Sequence, residues 1–110
     1  MDSEHRNDLR KRLYHRIVAR ALAGNPGLLA EAMTVVRRWQ REPNRAHHVD
    51  EWAKLLAQPP AVVRREITKR GEDMTRLRID SPFYLTQTRV VANELRSRIA
   101  RMASSLASAR

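Results

Sequence analysis

Apolar residues recur along this chain at spacings of three and four, the signature of helices with one buried face, and no stretch alternates with the two-residue period of a strand. Over residues 3–23, Leu9, Leu13, Ile17, Val18, Ala21 and Leu22 form one such face, while Arg6, Arg10, Lys11, Arg12, Arg16 and Arg20 occupy the others. Gly24-Asn25-Pro26 then predicts a boundary. Gly24 suits a C-terminal cap, Asn25 an N-cap, and Pro26 a first helical position, where its missing N–H costs nothing. A second helix follows to about Arg41 on Leu29, Ala32, Met33, Val36 and Trp39. The short turn makes the pair an antiparallel hairpin.

Pro43 and Asn44 mark a connection, after which a third helix begins between Asn44 and Asp50 and buries Val49, Trp52, Ala53, Leu55 and Leu56. Pro59-Pro60 stops it, because proline disfavours helix in its predecessor and lacks a donor. A fourth helix turns Val62, Val63 and Ile67 inward and Arg64, Arg65, Lys69 and Arg70 outward, and Gly71 closes it. A short fifth helix, 72–79, buries Met74 and Leu77. Ser81-Pro82 then starts a single turn in which Phe83, Tyr84 and Leu85 plug the core. Thr86 is the expected cap of a last helix from Gln87 to about Leu106, with Leu85 and Val90 as a hydrophobic staple. Val91, Leu95, Ile99, Met102 and Leu106 give that helix a stripe close to a coiled-coil seam. The pattern therefore predicts an all-α protein: a compact bundle of five or six helices with a long C-terminal helix, one domain over 1–106 and a frayed tail over 107–110.

Composition adds three constraints. A chain of 110 residues, 42% hydrophobic but with only five aromatics, can bury a modest core of Leu, Val, Ile, Ala and Met. Without cysteine it can form neither disulfides nor thiolate metal sites. The charged first twenty residues hold no visible signal peptide, and no apolar run approaches the roughly 18–20 residues of a membrane span. The expectation is a cytoplasmic protein that does not enter a membrane.

Charge changes the picture most. Lysine and arginine number 22 against 12 acids, a formal charge of +10, which draws nucleic acid, acidic proteins or anionic lipid. Arginine dominates, and its planar fork suits phosphate and guanine. A genome rich in G and C would favour arginine codons as well. Arg64, Arg65, Lys69 and Arg70 are the candidate nucleic-acid-binding residues, for DNA or RNA. The stripe of Val91, Leu95, Ile99, Met102 and Leu106 is the candidate partner face, for a cognate protein or a second copy. Folding back over the first helix is the alternative use of that stripe.

Candidate catalytic chemistry is thin. No catalytic residue, metal ligand set or cofactor motif is assigned. His47 and His48 are adjacent, so a helix points them about 100° apart and they cannot share a metal face. Trp39 and Trp52 read as core anchors rather than base-stacking platforms. Arg10 and His15 form an Arg-x4-His pair similar to that of the helical HEPN ribonucleases, in which Arg and His act on RNA. Five residues apart, they lie about 140° apart around one helix.

Two further resemblances bear on function. Residues 52–67 resemble the bacterial helix-turn-helix, with Ala53 at the small-residue position, Ala57 where glycine is usual, and Val63 and Ile67 on the inner face of a recognition helix. A pair of packed helices with a proline break gives the same pattern. More broadly, Asn25-Pro26, Arg37-Arg38-Trp39, Trp52-x-x-Leu55-Leu56, Leu77-Arg78 and Ser81-Pro82-Phe83 resemble a group of small, mostly uncharacterised all-helical bacterial proteins. That group is loosely associated with toxin-antitoxin or phage gene pairs. The resemblance implies a non-enzymatic regulatory or antitoxin-like binding module. The alternative is a basic, nucleic-acid-directed toxin or a helical ribonuclease, since antitoxins are more often acidic.

Overall fold

The computed structural model describes residues 3–90 and 93–108, with the side chains of 4–90 and 95–108. The described residues form six α-helices and one 3-10 turn and contain no strand. None of these helices is long and apolar enough to cross a membrane.

Helix α1 (Ser3–Gly24) is the axis of the molecule, touching helices α2, α4, α5 and α6. Being covered on several sides, it buries Tyr14, His15, Val18 and Leu22, while Leu13, Ile17 and Ala21 pack on the rim of the core. Pattern alone left Tyr14 and His15 out of the inner face, because neither is simply apolar. The α1–α2 boundary falls where it is expected, by a different device. Among the described residues only Gly71 has a positive φ, so Gly24 is no left-handed cap, and Pro26 takes the N-cap position with no side-chain cap from Asn25.

Helix α2 (Gly27–Gln40) buries Leu28, Ala32, Val35 and Val36, with Leu29, Met33 and Trp39 half-buried. Helix α3 (His47–Leu56) buries Val49, Trp52 and Leu56. Trp52 sits at the centre of the core, and its indole Nε1 donates 3.0 Å to the Leu77 carbonyl. That bond satisfies the one polar atom of a large apolar side chain.

Pro60 opens helix α4 (Pro60–Glu66), which faces α1 through Val63 and ends one turn earlier than its basic run suggests. Gly71 does not close α4. With φ +124° it N-caps helix α5 (Glu72–Ile79), which buries Met74 and Leu77 as expected, and Arg78 as well.

The 3-10 turn (Pro82–Leu85) buries Pro82 and Phe83, capped by the Ser81 hydroxyl, which accepts from the Phe83 N–H at 3.2 Å. Leu85 does not plug the core: it is 55% exposed, so the expected staple is not formed. Nor does Thr86 cap a helix. Its buried hydroxyl lies 3.2 Å from the Phe83 carbonyl and 2.9 Å from the Thr88 carbonyl, closing a turn. Thr88 in turn gives its backbone N–H and its hydroxyl to the Glu31 carboxylate on α2, both at 2.7 Å. This tertiary clamp holds the segment as a loop, and helix α6 (Asn93–Ser108) starts several residues later than Gln87.

Helix α6 lies along α1 and buries Ile99, Ala103 and Ala107 at successive spacings of four. It continues through Ser108, so the expected fraying point at Ala107 is instead a buried helical residue.

Candidate nucleic-acid interface

The proposed basic face exists and is exposed. Val63 and Ile67 are fully buried, so helical geometry turns Arg64 and Arg65 outward, and Lys69 and Arg70 follow in the exposed segment after α4. Glu66 lies 3.9 Å from Arg65 and 3.7 Å from Lys69, pairs that solvent screens strongly. Arg64 and Arg70 make no hydrogen bond or ion pair among the described residues.

Two arginines outside the expected set build the floor beneath this face. Arg12, on α1, donates through Nε to the Thr68 carbonyl at 3.0 Å. Arg78, on α5, is buried and donates through Nη1 to the carbonyls of Ile67 at 3.1 Å and Lys69 at 2.8 Å. Carbonyls left over at a helix C-terminus carry partial negative charge, so two cations there are favourably placed. Burial lowers the pKa of the Arg78 guanidinium, and the charge of Arg12 lowers it further. Arg12 is likewise lowered, first by desolvation and then by Arg70 and Arg16. Charges from α1, α5 and the end of α4 thus converge at one junction.

Sequence reasoning missed Arg12 and Arg78 because they come from two helices far apart in the chain. A faint signal was present: Arg12 and Arg16 stand four apart on one helical face, and Arg78 interrupts the apolar pair Leu77 and Ile79.

The helix-turn-helix segment resolves into α3, a turn over 57–59 and α4. Ala57 adopts φ −79°, ψ −9°, a conformation open to any residue, which is why alanine can stand where glycine is usual. The seven residues of α4 span only about 10 Å, and the helix packs more extensively on α1 than on α3.

Arg10 and His15 do not share a site. Arg10 is exposed and donates to the Asn7 side chain, whereas His15 is fully buried among Tyr14, Trp52, Phe83 and Tyr84. The hydrogen bonds assign its tautomer. His15 Nδ1 lies 2.7 Å from the Lys11 carbonyl, which can only accept, so Nδ1 carries the proton. Nε2 then accepts from the Ser81 hydroxyl at 2.8 Å, and that same oxygen accepts from the Phe83 N–H. Burial is the largest cause of a pKa pushed down to about 4, with Arg78 nearby lowering it further and the Lys11 carbonyl opposing.

The other candidates disperse. His47 is exposed, 3.5 Å from Glu51, while His48 is half-buried edge-on to Trp39. The described residues include no cluster of three or more His, Asp or Glu side chains able to hold a metal ion. Of the apolar stripe on α6, Leu95 and Ile99 pack against the core, whereas Met102 and Leu106 are 52% and 49% exposed. Val91 lies outside the described residues. The part of the stripe next to α1 is thus used within the fold, and only its outer edge faces solvent.

A second basic region flanks α6, where a cavity of about 410 Å³ is lined by Arg10, Lys11, Arg96, Tyr14 and Tyr84 among others. Arg96 lies over the Tyr14 ring at 5.4 Å from its centroid, a cation–π contact. No protein-family model, curated protein or solved structure matches this chain.

Proposed function

We propose that the chain is a non-enzymatic binding module, regulatory or antitoxin-like, that holds nucleic acid through phosphate contacts from Arg64, Arg65, Lys69 and Arg70. The observation that carries this reading is the junction of α1, α4 and α5. There Arg70 stands exposed beside the inward-turned Arg12 and Arg78, Arg64 is exposed on α4, and neither Arg64 nor Arg70 has an acidic partner among the described residues. Arginine in such a setting gains by meeting phosphate, because its remaining donors are matched bidentately. The regulatory setting rests on the resemblance carried by Trp52, Leu56, Leu77, Ser81 and Phe83. All five are buried, which supports reading them as scaffold and looking for the function among exposed residues. The exposure of Met102 and Leu106 supports reading them as the part of the stripe open to a partner.

Binding of duplex DNA, measured by fluorescence anisotropy over a series of salt concentrations, tests the reading. Binding at low salt that weakens steeply as salt rises is expected, with log K falling by about 0.9 per phosphate neutralised. Undetectable binding at low salt, or binding insensitive to salt, removes it.

A further inference from the structure

Beside the exposed basic face lies a smaller feature that the reading above does not use: an open cavity of about 200 Å³ between α1 and the start of α5. Arg12, Arg70 and Arg78 line it, with Asp8, Thr75 and Gly71. His5 lines it too; with histidine counted as neutral, three guanidinium groups against one carboxylate leave a formal excess of two positive charges on its walls. The neighbouring carbonyls occupy only Arg12 Nε and Arg78 Nη1. Arg70 makes no hydrogen bond or ion pair among the described residues. Each arginine therefore keeps donors to spare around one volume. The groups also repel one another: Arg70 lowers the pKa of Arg12, and Arg12 that of Arg78, while Asp8 is the weakest influence on Arg78. An anion in the cavity would relieve that repulsion.

We propose that this cavity binds a single phosphate group through Arg12, Arg70 and Arg78. The inference rests on the reading of this side of the molecule as phosphate-binding, and sharpens it from a diffuse face to one seat. Charge fits the group, since a phosphate monoester carries about −1.5 to −2 at neutral pH, close to the excess on the walls. Size fits as well. The open volume of about 200 Å³ is enough for a phosphate with some of its hydration. The N-terminal turn of α5 adjoins at Gly71, but Glu72 and Asp73 stand in that turn, so the arginines carry the selection. Inorganic phosphate and the terminal phosphate of a nucleic acid share this chemistry.

The 110-residue chain, titrated with inorganic phosphate at constant ionic strength and followed by calorimetry, is expected to bind one equivalent. Arg70→Gln, an exposed change that breaks no bond of the fold, is expected to weaken binding about tenfold, the worth of one charge-assisted hydrogen bond. Arg37→Gln, an exposed change on α2 at a residue that does not line the cavity, is expected to leave it unchanged. No saturable binding, or equal loss in both variants, overturns the proposal in favour of diffuse attraction to a basic surface. A second arm compares one oligonucleotide with and without a 5′-phosphate. Tighter binding of the phosphorylated form that Arg70→Gln abolishes assigns the seat to a nucleic-acid end, whereas equal binding beside saturable inorganic phosphate assigns it to the free ion. Salt-sensitive DNA binding without a phosphate equivalent defeats this inference and spares the broader reading. Phosphate binding without DNA binding does the reverse.

Discussion

His15 shows how one residue can carry chemical promise in the sequence and structural duty in the fold. Its Arg-x4-His spacing pointed outward to RNA, but the imidazole is sealed in the core, where it ties α1 to the Ser81 turn through a neutral chain of hydrogen bonds. The pH dependence follows. An exposed histidine in the unfolded chain takes up a proton near pH 6.5, whereas buried His15 resists until about pH 4. Its contribution to stability is complete above the unfolded pKa and is lost as pH falls through that window, by about 3 kcal/mol at the lower end. An NMR titration should find the His15 ring still neutral at pH 5, with urea unfolding showing stability already reduced there. A ring charged at pH 6 would contradict this. Arg78 belongs to the same lesson. A lone arginine between Leu77 and Ile79 is legible as an oddity, but its carbonyl partners in the turn just after α4 are not.

Among the elements, what could be read from the sequence was what short-range pattern dictates. Proline breaks at 26, 59 to 60 and 82 located the helix boundaries, and Trp52, Val63, Met74, Leu77 and Phe83 fell inside as their spacing required. Failures occurred where a distant side chain competed with a local signal. Thr86 has the chemistry of an N-cap, yet the Glu31 carboxylate on α2 captures Thr88 two residues on and keeps the chain out of a helix. Gly71 was read as a stop, but the carbonyls just before it are taken by Arg12 and Arg78, and its positive φ serves the start of α5. On α6 the large apolar residues drew attention, while close approach to α1 selected the small ones, Ala103 and Ala107. Ala103→Leu should therefore overpack that contact and cost about 1–3 kcal/mol in urea unfolding. Met102→Glu with Leu106→Glu should leave stability nearly unchanged and reduce any association seen by light scattering. If the glutamate pair unfolds the chain and Ala103→Leu does not, the face of α6 has been assigned the wrong way round.

At the scale of the whole molecule, a charge of +10 on 110 residues attracts polyanions wherever it sits, so binding alone does not locate an interface. Position can be separated from total charge. Replacing Arg64, Arg65, Lys69 and Arg70 with glutamine lowers the net charge to +6, and so does replacing Arg20, Arg37, Arg38 and Arg41. All eight side chains are exposed, so both variants keep the core and the bonds that Arg12 and Arg78 make to the end of α4. Long-range attraction, screened over about 8 Å at physiological salt, should fall comparably in the two. Direct phosphate contact should not. The first variant is expected to lose most of its DNA affinity and to flatten the slope of log K against log salt by about three to four, one contact for each residue removed. The second should keep the slope and shift only modestly in affinity. Equal slopes in the two variants would mean that the chain binds by charge alone, with no docked face at the junction of α1, α4 and α5.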